Sequence, residues 1–455
     1  MSALSDVEIG PIPNGWLVKP IRELCQITSG GTPRKTEAAF WSGDIPWVSG
    51  KDLKSPQLDD SIDHISVEGL EAGSRLAPAG AVFVLVRGMG LAKDLPVAVA
   101  QRPMAFNQDV KALVSRTSLS GSFLRSAIYH AKNRLLSRIV PSAHGTMTLN
   151  LDDVENLLIP VPSDPVEAEA IASALTLAQQ AISTEQRQLE VAVDFRHVVT
   201  RNLFTRGLHD EAQKETEIGH VPKSWDVVDF VSVREWLQYG TSVRCDDERA
   251  AFPVLRIPNI EPGRVNANDL KYCTLSTKEA ENYRLKDGDL LFIRTNGVLD
   301  RLGSCAVYAG EPEQALFASY LIRARLHRDK VDPRFVAFFF GSERGTGLVA
   351  GRATPAADGK YNLNTGTIDS LPLPLPPTLD EQREIVAVLG GIDRKIDLHE
   401  RKRAVLNQLF KTLLHKLMTG EIRVADLDLS ALQSGVADSS ANGTQAAPKS
   451  TEVVT

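Results

Sequence analysis

The hydrophobic positions near the end of the chain follow a heptad pattern. After Pro377, apolar residues recur at alternating spacings of four and three in two successive runs. The members of the two runs are Ile385, Leu389, Ile392, Ile396, Leu406, Phe410, Leu413 and Leu417. A mean period of about 3.5 residues predicts a long helix with a narrow apolar seam, as in a coiled coil. This helix, over about 379–423, requires a partner helix.

An equivalent seam lies about 214 residues earlier and predicts the partner helix, over about 166–206. Its positions are Ile171, Leu175, Ala178, Ile182, Glu185, Leu189, Ala192, Arg196, Val199 and Leu203. Three further blocks repeat in the same order: IGPIPNGW at 9–16 as IGHVPKSW at 218–225, GAVFVLVR at 80–87 as GDLLFIR at 288–294, and LNLDDVENLLIPVP at 149–162 as LNTGTIDSLPLPLP at 363–376. The chain is therefore a tandem duplication.

Each repeat starts with short β-rich runs separated by Gly, Asp and Pro clusters, with short helical stretches between them. This pattern predicts a mixed α+β fold, in which two similar α/β domains are separated by two long helices that pair as an antiparallel coiled coil with pseudo-two-fold symmetry. The predicted boundaries are 1–163 for the first domain, 164–208 for the first helix, 209–377 for the second domain, 378–424 for the second helix and 425–455 for a polar tail expected to be disordered.

Polar residues interrupt the seam near its centre. Antiparallel pairing would place Ile171 opposite Leu417, and Glu185 would then fall opposite Arg403. We predict that this pair sets the register, because a wrong register would bury unpaired charges. The other interpretation is that both side chains extend into water and contribute little. About forty helical residues would form a rod of about 60 Å, which would hold the two domains at a fixed distance.

Composition restricts the classes of function. The net charge of -6 gives no basic signature for the whole molecule, so nucleic-acid binding would depend on local patches. The four cysteines are scattered without a CxxC motif, which argues against a zinc site and favours free thiols in a reducing compartment. Because we find no signal-like N-terminus and no long apolar run, we expect a cytoplasmic protein without a membrane partner.

The chain lacks the short motifs of common catalysts. We find no GxxxxGK[ST], HExxH or GxSxG pattern, and no NPP[YF] or DPPY tetrapeptide of the kind that amino-methyltransferases use. GMGLAK at 88–93 lacks the third glycine and the following helix of a dinucleotide site. We therefore expect no catalytic residues, no metal and no cofactor in this chain.

Polar loops remain as candidates for recognition. SGGTPRK at 29–35 combines a Gly-Gly turn, a hydroxyl and two cations, which suits phosphate contact, and QYGTSVR at 238–244 occupies the equivalent place. Arginine at a strand end could bind guanine, while Gln108 or Asn296 could bind adenine. We predict DNA contacts at Ser29, Gly30, Gly31, Thr32, Arg34, Lys35, Lys51, Arg87, Gln108, His144, Thr241, Arg244, Arg294, Asn296, Lys360 and Tyr361. Each alone could be a solvated loop residue, but matching places in both repeats favour the pairs Arg34/Arg244 and Arg87/Arg294.

Several stretches resemble the specificity (S) subunit of type I restriction-modification systems, over about 9–423. They are WLVKPIREL from Trp16, SGGTP from Ser29, WSGDIPWVS from Trp41, DEQREIV from Asp380 and the two proline-rich joins. The resemblance implies two target recognition domains, each reading one half of a bipartite site in double-stranded DNA. It also implies that methylation and cleavage belong to partners: two modification subunits that carry S-adenosylmethionine, and ATP-dependent restriction subunits. One departure is Ala168, which stands where the second helix has Gln382.

Two other functions stay open on the sequence alone. The chain could be a coiled-coil interaction scaffold without DNA specificity, whose globular domains bind peptides. It could also be a self-contained enzyme with an unrecognised site, although the missing motifs argue against this. Loss of duplex binding with rising salt would favour the DNA-binding hypothesis over the scaffold.

Overall fold

The computed structural model describes residues 12–142, 145–248, 251–356 and 359–434, without the side chain of Asp300. The chain divides into two compact units: unit 1 contains residues 1–187 and 400–455, and unit 2 contains residues 188–399. Each unit therefore includes one half of each long helix. Within the described ranges, we find no helix that is long and apolar enough to span a membrane.

The described part of unit 1 contains short strands, short helices and parts of two long helices. Its strands are β1 (Trp16–Pro20), β2 (Cys25–Ser29), β3 (Ile45–Val48), β4 (Gln57–Leu58), β5 (Asp63–Ile65), β6 (Arg75–Ala77), β7 (Val82–Leu85), β8 (Val97–Ala100), β9 (Met104–Phe106), β10 (Val110–Ser115), β11 (Val140–Pro141), β12 (Met147–Thr148) and β13 (Leu158–Pro162). The short helices are α1 (Ile21–Leu24), α2 (Val67–Gly73), α3 (Gly121–His130), α4 (Lys132–Leu136) and α5 (Leu151–Glu155), and the first long helix is α6 (Pro165–Arg206).

Unit 2 also consists of short strands, short helices and parts of the two long helices. Its strands are β14 (Gln213–Thr216), β15 (Gly219–Pro222), β16 (Asp226–Asp229), β17 (Arg234–Tyr239), β18 (Phe252–Leu255), β19 (Ile260–Glu261), β20 (Gly263–Val265), β21 (Lys271–Cys273), β22 (Leu290–Ile293), β23 (Thr295–Asn296), β24 (Cys305–Val307), β25 (Leu316–Phe317), β26 (Leu321–Leu326), β27 (Thr354–Pro355), β28 (Tyr361–Asn362) and β29 (Pro372–Leu375). The helices are α7 (Thr277–Glu281), α8 (Pro333–Phe340), α9 (Glu343–Ala350), α10 (Thr365–Asp369) and the second long helix, α11 (Leu379–Met418).

The largest sheet has the same strand order in both units. The order is β2-β10-β7-β8-β4 in unit 1 and β17-β26-β22-β24-β20 in unit 2, where β19 adds one further edge strand. Each sheet has one parallel pair, β4 with β8 and β20 with β24, among antiparallel ones. A smaller sheet also repeats, as β5-β3-β9-β6 and β21-β18-β25. These matched orders confirm the tandem repeat and the mixed α+β class.

The proline-rich joins form strands that connect each domain to its long helix. β13 pairs antiparallel with β1, and β29 pairs antiparallel with β16. Each of these sheets has two described strands, so every strand has one unpaired side. A proline is tolerated where its nitrogen, which carries no hydrogen, faces that unpaired side. The start of each globular segment is thus tied to the start of a long helix.

Both long helices end at a glycine in the left-handed backbone region, Gly207 with φ 68° and Gly420 with φ 67°. Glycine adopts this region without steric cost, which makes it a common helix terminator. The second helix therefore ends at Met418 rather than near residue 423. The residues that follow pack on the core of unit 1 through Ile422, Val424, Leu427, Leu429 and Leu432. Disorder was thus the wrong expectation for 425–434, whereas 435–455 lie outside the described residues.

The predicted seam residues are buried or half-buried in each unit. In unit 1, one cluster contains Ile171, Leu175, Ala178 and Ile182 together with Phe410, Leu413 and Leu417. In unit 2, Leu189, Ala192 and Ile396 form a separate cluster. The narrow apolar stripe therefore faces a partner helix, as the heptad spacing predicts.

Polar contacts between α6 and α11 within each unit indicate the register in which the two helices pair. Within unit 1, Lys402 Nζ lies 2.8 Å from Glu185 Oε2, and Arg403 donates a hydrogen bond to Gln186. Within unit 2, Arg196 Nε donates to Asp393 Oδ1 at 2.5 Å. All of these pairs lie within one residue of the predicted antiparallel register. The direct pair of Glu185 with Arg403 stays a prediction, since the described ionic partner of Glu185 is the adjacent Lys402.

The glutamine at the start of α11 has an internal role. Gln382 is 2% exposed, and its Oε1 accepts a hydrogen bond from Asp332 N at 2.8 Å. Asp332 is the N-cap residue of α8, so Gln382 joins the start of α11 to the start of α8. Ala168, at the equivalent place in α6, is also buried but has no side chain that could make such a bond.

Candidate nucleic-acid interface

At one edge of the large sheet of unit 1, the ends of β2 and β7 meet the start of β10. Ser29 lies opposite Lys111, and Leu85 lies opposite Val110. The loops at these strand ends carry most of the residues predicted for the first repeat. We call this edge the first strand-end surface; it contains Ser29, Gly30, Gly31, Thr32, Lys51, Arg87, Gln108 and Lys111.

The Gly-Gly turn is required by close packing. A Cβ on Gly30 would lie 2.0 Å from the carbonyl oxygen of Phe106, and one on Gly31 would lie 2.1 Å from that of Gly73. Gly31 N donates to Phe106 O at 2.9 Å, and Trp47 Nε1 donates to Gly31 O at 3.0 Å. These glycines therefore hold the loop against β9 and leave the adjacent polar side chains at the surface.

Side chains on the first strand-end surface form a small polar network. Thr32 Oγ1 donates to Gln108 Oε1 at 2.7 Å, which joins two predicted residues that are far apart in sequence. Lys111 Nζ donates to Ser29 Oγ and to Gln108 O, both at 2.8 Å. Burial lowers the pKa of Lys111, and the nearby Asp109 carboxylate opposes this effect. The network orients one amide and one ammonium group at the edge of the sheet.

Lys51 and Arg87 both follow residues close to the end of β7. Gly50, which precedes Lys51, would place a Cβ 3.0 Å from Leu85, and Arg87 forms an isolated antiparallel bridge with Thr148. Both charged residues are exposed. They can therefore reach a ligand at this edge without a rearrangement of the strands.

Three other residues of the first repeat are predicted to contact DNA, namely Arg34, Lys35 and His144. Arg34 and Lys35 are exposed beyond the Gly-Gly turn, and only the backbone carbonyl of Arg34 makes a described contact, accepting from Trp41 Nε1 at 3.2 Å. His144 lies outside the described residues, in the segment between β11 and β12.

In unit 2, the ends of β17 and β22 meet the start of β26 in the same arrangement. Tyr239 lies opposite Ile322, and Ile293 lies opposite Leu321. β23 continues from β22 and pairs with β28, which places Asn296 opposite Tyr361. We call this edge the second strand-end surface; it contains Tyr239, Thr241, Arg244, Arg294, Asn296, Ser319, Lys360 and Tyr361.

Arg294 is held by an aromatic ring on the second strand-end surface. Its guanidinium carbon lies 4.6 Å from the centroid of the Tyr239 ring, within cation–π range. Nη1 makes a long 3.4 Å contact to Ser319 O, and the buried Nε has no hydrogen-bond partner among the described residues. A buried donor without an acceptor costs free energy, so this guanidinium is suited to donate to an acceptor on a ligand.

The structure corrects the proposed equivalence of Arg87 and Arg294. Leu149 N donates to Val86 O, and Leu363 N donates to Arg294 O, so Val86 is the counterpart of Arg294. In a strand, a shift of one residue turns the side chain to the opposite face. Val86 is buried, and the first repeat therefore has no arginine at this position.

The Gly-Thr pairs are also offset by one residue. Gly31 N donates to Phe106 O and Thr241 N donates to Phe317 O, each at 2.9 Å, so Gly30 rather than Gly31 corresponds to Gly240. The same alignment makes Arg34 the counterpart of Arg244. That pair keeps its equivalent position, and Arg244 is exposed like Arg34.

Sequence reasoning missed Lys111, Tyr239 and Ser319. Each lies at a strand end whose neighbour is distant in sequence, so local pattern gave no reason to select it. A signal was available for Tyr239, which directly precedes the predicted Gly-Thr turn. Lys111 could be selected only after the pairing of β10 with β2 was known.

In 12–142, 145–248, 251–356 and 359–434, no group of three or more His, Cys, Asp or Glu side chains could hold a metal ion. The chemistry that both strand-end surfaces offer is hydrogen bonding and positive charge, which suits binding.

A family model for the type I restriction modification DNA specificity domain matches residues 13–192 and 241–408. These matches cover most of the chain, and the chain belongs to this family. It is a specificity subunit of the type I class, in which catalysis lies in other subunits. The two separate matches correspond to the two repeats found in the sequence.

Individual relatives and solved structures agree with this assignment. The chain is 26% identical over 434 residues to the type I restriction enzyme EcoKI specificity subunit of Escherichia coli strain K12, covering 91% of this chain and 90% of that protein. It is 23% identical to the type I restriction enzyme MjaIX specificity subunit of Methanocaldococcus jannaschii, covering 93% and 97%. The crystal structure of the type I S subunit from M. genitalium superimposes with a TM-score of 0.60 at 15% identity, covering 90% and 98%. This structural match supports the fold.

Proposed function

We propose that the chain determines the DNA sequence specificity of a type I restriction-modification complex. Each strand-end surface reads one half of a bipartite target in double-stranded DNA. The observation that carries this proposal is the repeated gathering of distant polar loops at the same edge of the same sheet. Two such surfaces suit two separate readings of one duplex.

The side chains divide into those that select bases and those that position the backbone. Arg294 reads guanine in the second half, since Tyr239 stacking holds its guanidinium plane in place. Gln108, oriented by Thr32, reads adenine in the first half. The exposed cations, including Arg34 and Arg244, contact phosphates and supply affinity without selecting sequence.

Exposed apolar residues on the long helices provide surfaces for modification subunits. Val191 and Phe195 on α6 are 68% and 56% exposed, and Val405 and Leu409 on α11 are 67% and 38% exposed. The two pairs occupy equivalent positions of the repeat, and each pair shares one helix face. Exposed apolar patches mark protein interaction sites. Two modification subunits therefore dock, one on each pair, and restriction subunits join this assembly. The paired helices set the spacer between the two half-sites.

The specificity proposal is tested by selection from a random duplex library. The purified chain with its modification subunit should enrich one bipartite motif with a constant spacer. Deletion of one heptad from both helices at paired positions should shorten the spacer while both half-sites stay the same. Absence of any sequence preference among the duplexes would overturn the proposal and favour an interaction scaffold.

Point variants separate base reading from backbone contact. Arg294→Ala should relax the second half-site at one position, with a loss of about 1–3 kcal/mol for the preferred base. Arg34→Ala should weaken binding to all sequences and reduce the salt slope by about one. Arg22→Ala is the matched control, because Arg22 is exposed in α1, which precedes β2 and so lies away from the β2 end that carries Ser29. Relaxation of the first half-site by Arg294→Ala would contradict the assignment.

The number of modification subunits is tested by measuring the mass of the assembled complex. Phe195→Glu and Leu409→Glu should each leave one modification subunit bound, and the double variant should leave none. Leu398→Glu is the control, because Leu398 is exposed but its repeat counterpart is Thr184. Two bound subunits in the double variant would show that docking takes place elsewhere.

A further inference from the structure

Two of the four cysteines face each other across an antiparallel bridge in unit 2. Asp246 N donates to Tyr272 O at 3.0 Å, and Tyr272 N donates to Asp246 O at 2.9 Å. Beyond such a doubly bonded pair, the next residues are directly opposed, with Cα atoms about 4.5 Å apart. Those residues are Cys245 and Cys273. A disulfide requires a Cα separation of about 4.4–6.8 Å, so the spacing of such a pair is compatible with a disulfide.

The two thiols are in contact and differ in access to solvent. Each thiol lies close enough to the other to affect its pKa, and the Cys245 thiol donates a hydrogen bond to Val243 O at 3.3 Å. Cys273 is only 2% exposed and packs with Phe252 and Val254, whereas Cys245 is half-buried. An oxidant from solvent therefore reaches Cys245 first.

We propose that Cys245 and Cys273 form a disulfide when the chain meets a peroxide, which fixes the segment 241–248 to β21. The Cys245 thiolate attacks a peroxide oxygen, the O–O bond breaks, and a sulfenic acid forms as hydroxide leaves. The Cys273 sulfur then attacks the Cys245 sulfur, the S–S bond forms, and water leaves after taking up the Cys273 proton. Two thiols lose two electrons and two protons, and hydrogen peroxide is reduced to two molecules of water.

Burial and charge around the two thiols indicate which one reacts with the peroxide first. Burial raises the pKa of both thiols, that of Cys273 to about 11. The neighbouring Cys273 thiol and the charge of Arg256 lower the pKa of Cys245 and partly offset its burial, whereas the charge of Asp246 raises it. Cys245 is thus the attacking group, and Cys273 resolves the sulfenic acid. Because the thiolate is the nucleophile, the reaction should accelerate as the pH rises above neutrality.

The disulfide would affect recognition through the segment that it constrains. Thr241 and Arg244 precede Cys245 on this segment, and Thr241 also bonds to the β25 backbone. Resting on the proposed function, we expect oxidation to change selection or affinity at the second half-site and to leave the first unchanged. The disulfide itself is measured without DNA, so its failure can be distinguished from failure of the DNA-binding proposal.

The test treats the folded full-length chain with hydrogen peroxide, blocks remaining thiols by alkylation and examines the peptides by mass spectrometry. The expected product links the Cys245 and Cys273 peptides at a mass two hydrogens below their sum. Cys25 and Cys305, which are buried, should remain reduced and serve as internal controls. A chain in which Cys273 stays reduced while Cys245 proceeds to sulfinic acid would overturn the proposal, as would disulfides between separate chains.

Two serine variants separate the steps. Cys273→Ser should accumulate sulfenic acid at Cys245, detected with a dimedone-type probe, because the resolving thiol is missing. Cys245→Ser should protect Cys273 from oxidation under the same treatment. Oxidation of Cys273 at the wild-type rate in Cys245→Ser would show that the two thiols react independently and would contradict the proposal.

Discussion

The large sheets of the two units have different chemistry at equivalent positions. Gly80 N donates to Ala100 O, and Gly288 N donates to Tyr308 O, which makes Ala81 the counterpart of Asp289. Strand pairing likewise matches Ala112 with Arg323, because each lies opposite an equivalent apolar residue of the neighbouring strand. Unit 1 therefore has methyl groups where unit 2 has a carboxylate and a guanidinium.

The charged pair of unit 2 is part of a buried network. Arg325 donates two hydrogen bonds to Asp289, each of 2.7 Å, and Arg323 lies 3.6 Å from the same carboxylate. The Arg323 guanidinium lies between the rings of Trp236 and Phe317, at 4.6 and 4.9 Å from their centroids. Burial lowers the pKa of Arg323 to about 10, so it remains charged at neutral pH.

The long helices likewise have an apolar residue in unit 1 where unit 2 has a charged one. Phe410 in unit 1 is buried in the apolar cluster, whereas Arg196, its repeat counterpart in unit 2, pairs with Asp393. Nearby in unit 2, Arg264 forms ion pairs with Glu261 and Asp397. A duplicated backbone thus tolerates either chemistry, because strand and helix pairing depends on backbone bonds and each side chain needs only a compatible partner.

The largest effect should follow loss of the apolar contact in unit 1. Phe410→Ala should reduce the free energy of unfolding by about 3–5 kcal/mol, because it removes a buried ring and leaves a cavity. Hydrogen exchange resolved by peptide should show the loss in unit 1. Leu409→Ala, at the adjacent exposed position, should change stability by less than about 0.5 kcal/mol. Similar losses in both variants would show that Phe410 is not a core residue.

Breaking the ionic network should weaken unit 2. Asp289→Asn leaves two arginines without their carboxylate and should cost about 3 kcal/mol, since an unpaired buried charge is poorly solvated. The measurement is urea unfolding followed by exchange in unit 2 peptides. Asp287→Asn is the control, because the exposed Asp287–Arg328 pair contributes little. A neutral result for Asp289→Asn would show that water replaces the carboxylate.

Acid should destabilise unit 1 through His130. Burial lowers the His130 pKa from 6.5 to about 4, helped by the nearby His415 and Arg134. Between these values the unfolded chain binds the proton more readily, so stability falls as pH decreases from 6.5 to about 4, by about 2 kcal/mol at about pH 5. Chemical unfolding across this pH range measures the effect. His130→Gln should remove the part of the stability loss that is due to protonation of His130. If the variant and the wild type had the same dependence of stability on pH, the assignment to His130 would be wrong.

The smallest effect concerns the ion pair that joins β20 to α11. Asp397→Asn removes one of two described acidic partners of Arg264, and both groups are partly exposed, so the loss should be below about 1 kcal/mol. The difference from wild type should shrink as salt is added, because salt screens exposed pairs. Asp194→Asn, at an exposed position of α6, serves as the reference. A salt-independent loss would point to packing rather than charge.

Features with a local period were predictable from the sequence. The heptad spacing identified both long helices, because helix geometry brings residues three and four apart onto one face. The duplication, which implies a pseudo-two-fold arrangement, predicted that these helices pair antiparallel. The ordered repeats revealed the duplication, and the motifs identified the family. The end of α11 was less predictable, since Gly420 stops the helix and the residues beyond it pack on unit 1.

Candidate recognition residues depend on contacts between distant segments. The sequence predicts that Arg87 and Arg294 occupy equivalent positions in the two repeats. The backbone hydrogen bonds of Leu149 and Leu363 instead match Arg294 with Val86. Lys111 and Tyr239 became candidates only when strand pairing placed them beside the predicted loops. The sequence by itself therefore determined the repeat, the helices and the class of protein, because these follow from spacing along the chain. Only the tertiary structure decided which side chains share a surface, because strand register is set by bonds between strands and one residue of slip reverses a side chain.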